Sequence, residues 1–343
     1  MSTLIALAAA TLAAQPIVIA HRGASGDRPE HTLAAYELAI DHGADFIEPD
    51  IVATKDGVLV ARHENEISGT TDVASRPEFA PRKTTKTIDG ASMTGWFTED
   101  FTLAELKTLR AKERIPQLRS TAFDGHFEVP TLKEVLALVK RKERETKRRI
   151  GLYPETKHPS YFASIGLALE KPLVAELRAA GYRRKSDPVF IQSFEIDNLR
   201  RLNGMTDLRL VQLIGDLDSG PPDRSGVGYA TMVTADGLKA ITAYADGVGP
   251  EKSAVIPRGA DGKLAAPTSL VADAHKAGLL VHPYTFRKEN YFLPGDYKVG
   301  ADPRAAGDLA GEVCAFLKAG VDGVFSDNPG VAVKARSDCK LSK

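Results

Sequence analysis

Eight short runs of apolar and β-branched residues lie along this chain, and a stretch with helical periodicity follows each of them. In chain order the runs are PIVIAH, DFIEPDI, IGLYPE, PVFIQS, LRLVQLI, ADGVGP, LLVHPY and VDGVFSD. Because they are apolar throughout instead of alternating, they predict parallel strands that are buried on both faces. Eight strands, each followed by a helix, predict an α/β fold of the (β/α)8 TIM-barrel class.

The intervening stretches carry the start and stop signals of helices. PEHTLAAYELAIDHG has Pro and Glu in its first turn and Gly43 as a stop, and several other stretches also end in glycine. The chain has 343 residues, more than the roughly 250 typical of such a barrel, so an insertion is expected. We place it after the second strand, at about residues 66–127, as a small subdomain with one short helix near TLAELKTLR. The barrel domain as a whole is predicted to span residues 16–343.

Residues 1–15, MSTLIALAAATLAAQ, are small and apolar, and they end just before Pro16. They resemble the hydrophobic part of a signal peptide, although the positively charged start is missing. A buried N-terminal segment is the alternative. We expect a periplasmic or secreted protein if the segment is a signal, and a cytoplasmic protein if it is not.

The two cysteines, Cys314 and Cys339, belong to neither a CxxC motif nor a zinc-binding pattern. In an exported protein they could form a disulfide that fastens the C-terminal tail to the helix before the eighth strand. In a cytosolic protein they would be two buried or tail thiols. The sequence leaves their pairing open.

The overall charge argues against nucleic acid as a partner. Lys+Arg and Asp+Glu both total 45, so the formal net charge is zero, whereas nucleic-acid-binding domains are usually basic. No apolar run is long enough to span a bilayer. A Walker-type phosphate loop, a GxSxG nucleophile motif, an HExxH zinc motif and a dinucleotide fingerprint are all absent. We therefore expect a small-molecule substrate, and the sequence does not indicate an oligomeric state.

Polar side chains gather where the predicted strands end, which is the edge of a TIM barrel that carries the active site. Glu48 and Asp50 are two residues apart and face the same side of an extended segment, and Glu155 ends the next strand. Three carboxylates at neighbouring strand ends repel one another unless a cation lies between them, and oxygen ligands select Ca²⁺ or Mg²⁺. We therefore predict a site for one divalent ion. The alternative is that these acids pair with Arg22 and Lys157. Three further polar residues end strands without an assigned role: Gln192, Asp327 and Asn328.

Two histidines lie near the same edge. His21 ends the first strand, and His63 follows a strand that pairs with the second one through the turn TKDG. Near neutral pH they could supply an acid and a base, although either ring alone is more often structural. Arg22 and Lys157 add positive charge where a phosphate would bind, or they serve as counter-ions of the acids. His282, near the end of the seventh strand, is a weaker candidate for the same pocket.

This combination of side chains suits metal-assisted cleavage of a phosphodiester. A divalent ion neutralises phosphate charge and lowers the pKa of a hydroxyl or water that it binds. One histidine takes a proton from the nucleophile, and the other protonates the leaving oxygen. We assign His21 as the general base, because Arg22 and the first strand place it deep in the rim. We assign His63 as the general acid, because its hairpin can lean over the leaving group.

The segment AHRGASG, followed by PEHTLAAYELAI and GADFIEPDIVATKDGVLVARHE, resembles the N-terminal signature of the glycerophosphodiester phosphodiesterase family. Later matches are PETK, IQSF, VHPYTFR and GVDGVFSDNP, and the resemblance covers nearly all of residues 17–334. HRG alone would not be specific, whereas the combined motifs are. The long insertion is similar to that of the periplasmic, calcium-dependent branch in particular.

The resemblance implies a role for each residue at a matching position. The matching catalytic residues are His21 and His63. The matching metal ligands are Glu48, Asp50 and Glu155. The matching substrate-binding residues are Arg22 and Lys157 at the phosphate, with the aromatic side chains Phe194 and Tyr284 toward the glycerol.

Two positions depart from the common pattern of that family. Many members have Asn where this chain has His31, although His occurs in the periplasmic branch. Many have Asp after the second catalytic histidine, where this chain has Glu64. The second departure bears on how His63 is oriented and not on its identity.

The favoured function is hydrolysis of glycerophosphodiesters to sn-glycerol 3-phosphate and an alcohol, whose identity the sequence does not indicate. One alternative is a phosphodiesterase of the phospholipase C or D kind acting on intact lipid, which would need an exposed apolar rim or anchor. The other is a catalytically inactive phosphoester-binding barrel. The presence of both histidines and all three acids argues against an inactive barrel.

Overall fold

Eight parallel strands form the centre of the molecule in the computed structural model, which describes residues 15–340. The strands are β1 (Ile17–His21), β2 (Phe46–Glu48 and Asp50–Ala53), β3 (Gly151–Leu152 and Glu155–Thr156), β4 (Phe190–Ser193), β5 (Arg209–Ile214), β6 (Gly247–Pro250), β7 (Leu280–Val281) and β8 (Gly323–Ser326). Each strand from β1 to β6 pairs in parallel with the next, and β8 pairs with β1. The predicted (β/α)8 barrel is confirmed.

The barrel closes between β7 and β8 through backbone hydrogen bonds. The Asp322 N–H donates to the Val281 carbonyl, with a nitrogen–oxygen distance of 2.9 Å. The Phe325 N–H donates to the Pro283 carbonyl at 3.1 Å. Closure leaves the central sheet without an open edge, which removes a surface that would otherwise pair with other chains.

Proline interrupts two of the barrel strands. Pro49 divides β2 and Pro154 divides β3, because proline has no N–H to donate to the neighbouring strand. The parallel register continues past both breaks, so that Asp50 pairs with Glu155. Each break is followed directly by an acidic residue at the carboxyl end of its strand.

Helices cover the outside of the barrel. They are α1 (Leu33–Asp41), α2 (Leu103–Leu106), α3 (Leu132–Thr146), α4 (Pro159–Ser164), α5 (Glu170–Ala179), α6 (Ile196–Asn203), α7 (Tyr229–Met232), α8 (Ala235–Ile241), α9 (Leu270–Ala277), α10 (Leu309–Lys318) and α11 (Pro329–Asp338). The stop predicted at Gly43 matches the observed end of α1, since Gly43 has a φ of 90°, which favours glycine.

The apolar core has two parts. Inside the barrel, aromatic side chains fill the space between the strands: Phe46, Tyr153, Phe190 and Phe325. His282 also lies inside the barrel, where its Nδ1 is 2.8 Å from the Tyr153 hydroxyl. His282 is therefore a buried interior residue, and the suggestion that it belongs to the rim pocket is wrong. A second, larger cluster lies between the strands and the helices.

The segment after β2 begins with a strand, Leu59–Ala61, that pairs antiparallel with Asp50–Ala53. Within the predicted insertion, the short helix expected near TLAELKTLR is α2, which begins with a capping box formed by Thr102 and Glu105. The insertion also contains a β-hairpin that the sequence reading did not predict, with strands Thr84–Ile88 and Ala91–Gly95. We call it the insertion hairpin.

The insertion packs against the barrel and shares its core. Its side chains Phe79, Trp96 and Phe101 belong to the same continuous cluster as the residues between strands and helices. The insertion thereby covers part of the rim formed by β1, β2 and β3.

Cys314 on α10 and Cys339 at the end of α11 form a disulfide, with 5.6 Å between their Cα atoms. It fastens the last helix to its neighbour.

The predicted signal segment, residues 1–15, lies outside the described residues except for its last position. Among the described helices none is both long and apolar enough to cross a bilayer.

Candidate active site

The HRG motif makes a sharp turn at the end of β1. Arg22 and Gly23 both have positive φ, at 60° and 87°. A Cβ on Gly23 would lie 2.7 Å from the carbonyl carbon of Ala35, so the close approach of α1 requires glycine here. The turn leaves His21 at the strand end and allows the Arg22 N–H to donate to Glu48 Oε2 at 2.7 Å.

The structure brings together the three acids that the sequence predicts as metal ligands. Glu48, Asp50 and Glu155 are buried, and one carboxylate oxygen of each lies within 4.8 Å of the others. The strand register produces this arrangement, because Asp50 pairs with Glu155, and Glu155 pairs with Gln192. Gln192 Nε2 in turn donates to Glu48 Oε1 at 3.0 Å.

The electrostatics of these acids suits a bound cation. Burial, followed by repulsion from Asp50 and Glu155, raises the pKa of Glu48 well above its ordinary value. Burial also raises the pKa of Glu155 to about 7, although Lys157 opposes the effect. A divalent cation between the carboxylates would remove this repulsion.

Asp50 keeps one oxygen free for such an ion. Its Oδ2 accepts from His31 Nε2 at 2.9 Å, and its buried Oδ1 finds no hydrogen-bond partner among residues 15–340. Burial alone would raise the pKa of Asp50, but the hydrogen bond from His31 and the charges of Lys157 and Arg22 outweigh it, and the pKa falls below its ordinary value. A charged, partly unpartnered carboxylate is a suitable ligand for a hard cation.

His21 is held by an acid that the sequence reading left without a role. Its Nδ1 lies 2.5 Å from Oδ1 of Asp327, the residue that follows β8. The other Asp327 oxygen accepts from Arg119 Nη2 at 2.6 Å and from Arg287 Nε at 2.9 Å. Burial, and next the charge of Arg22, lowers the pKa of His21 to about 4, so the ring is neutral at pH 7. With Nδ1 bonded to Asp327, the lone pair is left on Nε2.

His63 lies in the loop after the strand Leu59–Ala61, and its side chain is 20% exposed. Lys157 Nζ lies 3.5 Å from its Nε2. The Glu64 carboxylate comes within 2.7 Å of its Nδ1 but out of line, so that this nitrogen makes no hydrogen bond within the described chain. Burial and then the charges of Arg22 and Lys157 lower the pKa of His63 well below its ordinary value.

The two cations predicted at the phosphate are also held by acids. Arg22 Nη1 donates to Glu30 at 3.0 Å, and its Nε lies 3.6 Å from Asp50. Lys157 Nζ donates to Glu155 at 2.9 Å. Each cation thus pairs with an acid, as the counter-ion alternative expects, and the role of both cations at a phosphate stays a prediction.

A cavity of about 520 Å³ opens at this rim. Seven of the predicted residues line it: His21, Arg22, Glu48, His63, Glu155, Phe194 and Tyr284. The rings of Phe194 and Tyr284 meet edge to face with centroids 6.2 Å apart, and the Tyr284 hydroxyl donates to the Ile214 carbonyl at 3.0 Å. Asp50 and Lys157 lie behind this surface, in contact with residues that form it.

Sequence reasoning missed two groups of residues that hold this site. Asp327 and Gln192 were noted at strand ends, but nothing local shows that they bind His21 and Glu48. Arg119 comes from the insertion, and its partners Glu289 and Asp327 are 170 and 208 positions away along the chain. No local pattern signals contacts of this kind.

The fold and the site together define a TIM-barrel protein with a carboxylate cluster, two neutral histidines and buried cations around one rim cavity. A model of the Glycerophosphoryl diester phosphodiesterase family matches residues 21–331. The chain belongs to this family.

Two relatives agree with that assignment, and a solved structure agrees with the fold. A glycerophosphodiester phosphodiesterase of Arabidopsis thaliana is 39% identical over 328 residues, which cover 92% of this chain and 84% of the relative. The corresponding protein of Haemophilus influenzae is 32% identical over 348 residues, covering 93% and 89%. The fold resembles that of a phosphodiesterase from Oleispira antarctica, solved with the product sn-glycerol-3-phosphate, with a TM-score of 0.60, 20% identity and coverage of 94% and 98%.

Proposed function

We propose that this protein hydrolyses glycerophosphodiesters to sn-glycerol 3-phosphate and an alcohol, with one divalent ion bound by Glu48, Asp50 and Glu155. The observation that carries the proposal is the convergence of this cluster and two histidines on one cavity. Family membership and the names of the relatives support the substrate class. When bound, the ion would neutralise phosphate charge and acidify an oxygen that it contacts.

His21 is suited to accept the proton of the attacking oxygen, whether that oxygen belongs to water or to the substrate's own glycerol. Its ring is neutral at pH 7, since its pKa is lowered to about 4. The bond between Nδ1 and Asp327 stabilises the imidazolium that forms when Nε2 takes up a proton.

His63 is suited to protonate the leaving oxygen, because it is the more exposed ring and lies beside Lys157. The pKa of His63 is low in the free site because of burial and the nearby cations. An anionic phosphodiester in the cavity would offset the effect of Arg22 and Lys157 and raise that pKa. Substrate binding would thus favour the protonated ring.

Calcium and export belong to the same proposal. Three carboxylates offer oxygen ligands, which both Ca²⁺ and Mg²⁺ accept, and the resemblance of the insertion to the periplasmic branch favours Ca²⁺. The disulfide between Cys314 and Cys339 supports an oxidising compartment, the periplasm or the cell exterior.

The test is release of sn-glycerol 3-phosphate from glycerophosphocholine by the purified protein. We expect activity that a chelator abolishes and that added Ca²⁺ restores better than Mg²⁺. The His21→Ala/His63→Ala double variant is the matched control. A parallel assay with phosphatidylcholine distinguishes an enzyme for intact lipid. Absence of product with every metal and both substrates would leave only the phosphoester-binding barrel.

A further inference from the structure

The rim cavity extends past the two histidines and the carboxylate cluster, toward the loops that follow β6 and β7. We call this part the β6–β7 lobe; its polar lining residues are Glu251, Lys252, Arg258, Arg287, Tyr291 and Glu312. The carboxylate cluster lies on the opposite side, at the ends of β2 and β3. A diester whose phosphate lies between His21 and His63 can therefore place its two alcohols on different sides of the cavity.

A buried ion pair forms the floor of the β6–β7 lobe. Lys252 Nζ donates to Glu312 Oε1 at 2.6 Å, and Glu312 is completely buried. The second oxygen, Oε2, has no hydrogen-bond partner in residues 15–340 although Glu312 lines the cavity. Burying a carboxylate oxygen without a hydrogen bond destabilises the folded protein unless a ligand supplies a donor.

The polar groups of the β6–β7 lobe restrict which donor fits. Lys252, Arg258 and Arg287 supply three cations, and the carboxylates are Glu251 and Glu312 in the lining and Asp327 beside Arg287. Arg258 uses one nitrogen on the Phe292 carbonyl, and Arg287 uses Nε on Asp327, so neither guanidinium is fully occupied. A quaternary ammonium group has no N–H to donate to Glu312, whereas hydroxyls can both donate to Glu312 and accept from the cations.

We propose that the β6–β7 lobe binds the leaving alcohol and selects a polyhydroxylated one, such as inositol or glycerol, over choline. The hydroxyls would donate to Glu312 Oε2 and accept from Lys252 and Arg258. This inference rests on the proposed hydrolysis of glycerophosphodiesters and adds the class of leaving alcohol to it.

The experiment compares glycerophosphoinositol with glycerophosphocholine, which share the glycerol phosphate half and differ only in the leaving alcohol. The wild type should show a higher kcat/KM on glycerophosphoinositol. The Lys252→Met/Glu312→Gln variant should lose about tenfold on that substrate, as expected for hydrogen bonds to charged groups, and change little on glycerophosphocholine. Lys239→Met, an exposed lysine on α8, is the matched control.

Each other outcome has a distinct meaning. An equal loss on both substrates would place the shared glycerol in the lobe, and unchanged kinetics would remove the lobe from binding; both overturn the inference. A wild type inactive on both substrates contradicts the proposed function itself. Because the ion pair is buried, circular dichroism checks the fold, and Arg258→Gln, an exposed position, tests the same selectivity if the double variant does not fold.

A second inference concerns the link between His63 and the insertion hairpin. His158 Nε2 lies 2.8 Å from Glu64 Oε2, and its Nδ1 lies 2.6 Å from Asp89 Oδ2 at the hairpin tip. The other Glu64 oxygen is the one 2.7 Å from His63 Nδ1. Four side chains thus lie in series from the insertion hairpin to the candidate general acid, in the order Asp89, His158, Glu64 and His63.

The backbone conformation helps to place the first two members of this series, Asp89 and His158. His158 and Asp89 have positive φ values of 46° and 49°, in the left-handed region that side chains other than glycine seldom adopt. Carboxylates flank both ring nitrogens of His158, so the ring donates in both directions. The hydrogen bonds with Asp89 and Glu64 outweigh burial and raise the pKa of His158 to about 9.

We infer that His158 is a positioning residue, which holds Glu64 against His63 and thereby keeps the general acid oriented in the proposed reaction. The Glu64 carboxylate lies between the two rings, with Oε1 near His63 and Oε2 near His158. Asp89 is the member of this series that the insertion hairpin supplies.

The test uses two leaving groups. His158→Ala should lower kcat about tenfold on glycerophosphocholine, within the range of acid–base catalysis, with KM little changed and with most activity kept on glycerophospho-p-nitrophenol. His158→Gln, which can still donate to Glu64, should be partly rescued. His126→Ala, an exposed histidine in the same insertion, is the control. Equal losses on both substrates, or no loss on either, would overturn the inference, whereas an inactive wild type contradicts the proposed function.

Discussion

His21 and His63 share one cavity, but the structure holds them differently. His21 is fixed by Asp327, which two arginines also bind, whereas His63 is partly exposed and makes no in-line bond to Glu64. The ring bonded to Asp327 suits proton removal at one defined position, and the more exposed ring can reach leaving groups of different shape. This contrast is the physical basis for assigning different roles to them.

Leaving-group chemistry can separate these roles. A general acid matters most when the departing alkoxide is strongly basic, as with choline, and little for p-nitrophenolate. His63→Ala should therefore lose about a hundredfold or more on glycerophosphocholine and recover much of its activity on glycerophospho-p-nitrophenol. His21→Ala should have a low kcat on both substrates, because the nucleophile still needs its proton removed. Steady-state kcat is the measurement, and the opposite pattern would exchange the two roles.

Asp50 gives a direct test of the carboxylate cluster. Its Oδ1 is buried without a partner in the described chain, so we expect it to bind the divalent ion. Asp50→Asn removes the charge with little change of shape and should weaken Ca²⁺ binding about tenfold or more in titration calorimetry. Asp207→Asn, at an exposed position, is the control. An unchanged affinity would exclude Asp50 from the coordination sphere.

The ion pairs of His158 predict a pH-dependent contribution to stability. The pKa of His158 is raised from 6.5 to about 9 in the folded protein, so its stabilisation is complete below pH 6.5 and is lost as the pH rises through about 9. His158→Asn should therefore lower the free energy of unfolding at pH 6 by on the order of 1–2 kcal/mol, and by less at pH 10.

Urea denaturation at the two pH values measures this difference, with His126→Asn as the control because His126 is exposed. A destabilisation by His158→Asn that is the same at both pH values would show that its ion pairs with Glu64 and Asp89 contribute nothing.

Among the secondary-structure elements, the strands place the side chains of the candidate site and the loops hold them. Register alone brings Glu48 beside His21 and Asp50 beside Glu155. The insertion then adds Arg119 and Asp89, which bind Asp327 and His158. The barrel therefore determines which side chains meet, and the insertion determines how firmly some of them are oriented.

The disulfide between α10 and α11 should stabilise the C-terminal end of the barrel. Cys314 and Cys339 are 25 positions apart, and the chain-entropy model gives about 3 kcal/mol for a loop of this size. The Cys314→Ser/Cys339→Ser variant should lose about that much free energy of unfolding in urea denaturation, and wild type treated with reductant should behave alike. Two free thiols in exported protein, found by non-reducing mass spectrometry, would contradict the pairing.

For the molecule as a whole, metal binding should be linked to thermal stability. The three ligands come from two strands that meet only in the folded barrel, so the ion binds the native state. At roughly a hundred times its Kd, such an ion adds about 2.7 kcal/mol, which raises Tm by about 4 °C for a chain of this size. Differential scanning calorimetry with and without Ca²⁺ measures this, and Glu48→Gln/Asp50→Asn should show no rise. An equal rise in that variant would place the ion elsewhere.

Much of the fold and the site followed from local patterns. Eight uniformly apolar runs indicated buried parallel strands, and the polar residues at their ends indicated one rim, because parallel strands in a closed barrel share an edge. His21, Glu48, Asp50 and Glu155 could be assigned to the site for that reason alone. The resemblance of the motifs added Phe194 and Tyr284, and both line the cavity.

Tertiary structure alone decided which partners hold those residues. His21 is 306 positions from Asp327, and Asp89 is 69 positions from His158. Contacts over such separations arise when the barrel closes and the insertion folds over its rim, and they leave no periodic trace in the sequence. The pairing of Cys314 with Cys339, left open by the sequence, was decided in the same way, by the packing of α11 against α10. Local sequence determines which side chains reach the rim, and closure of the chain determines what each of them touches there.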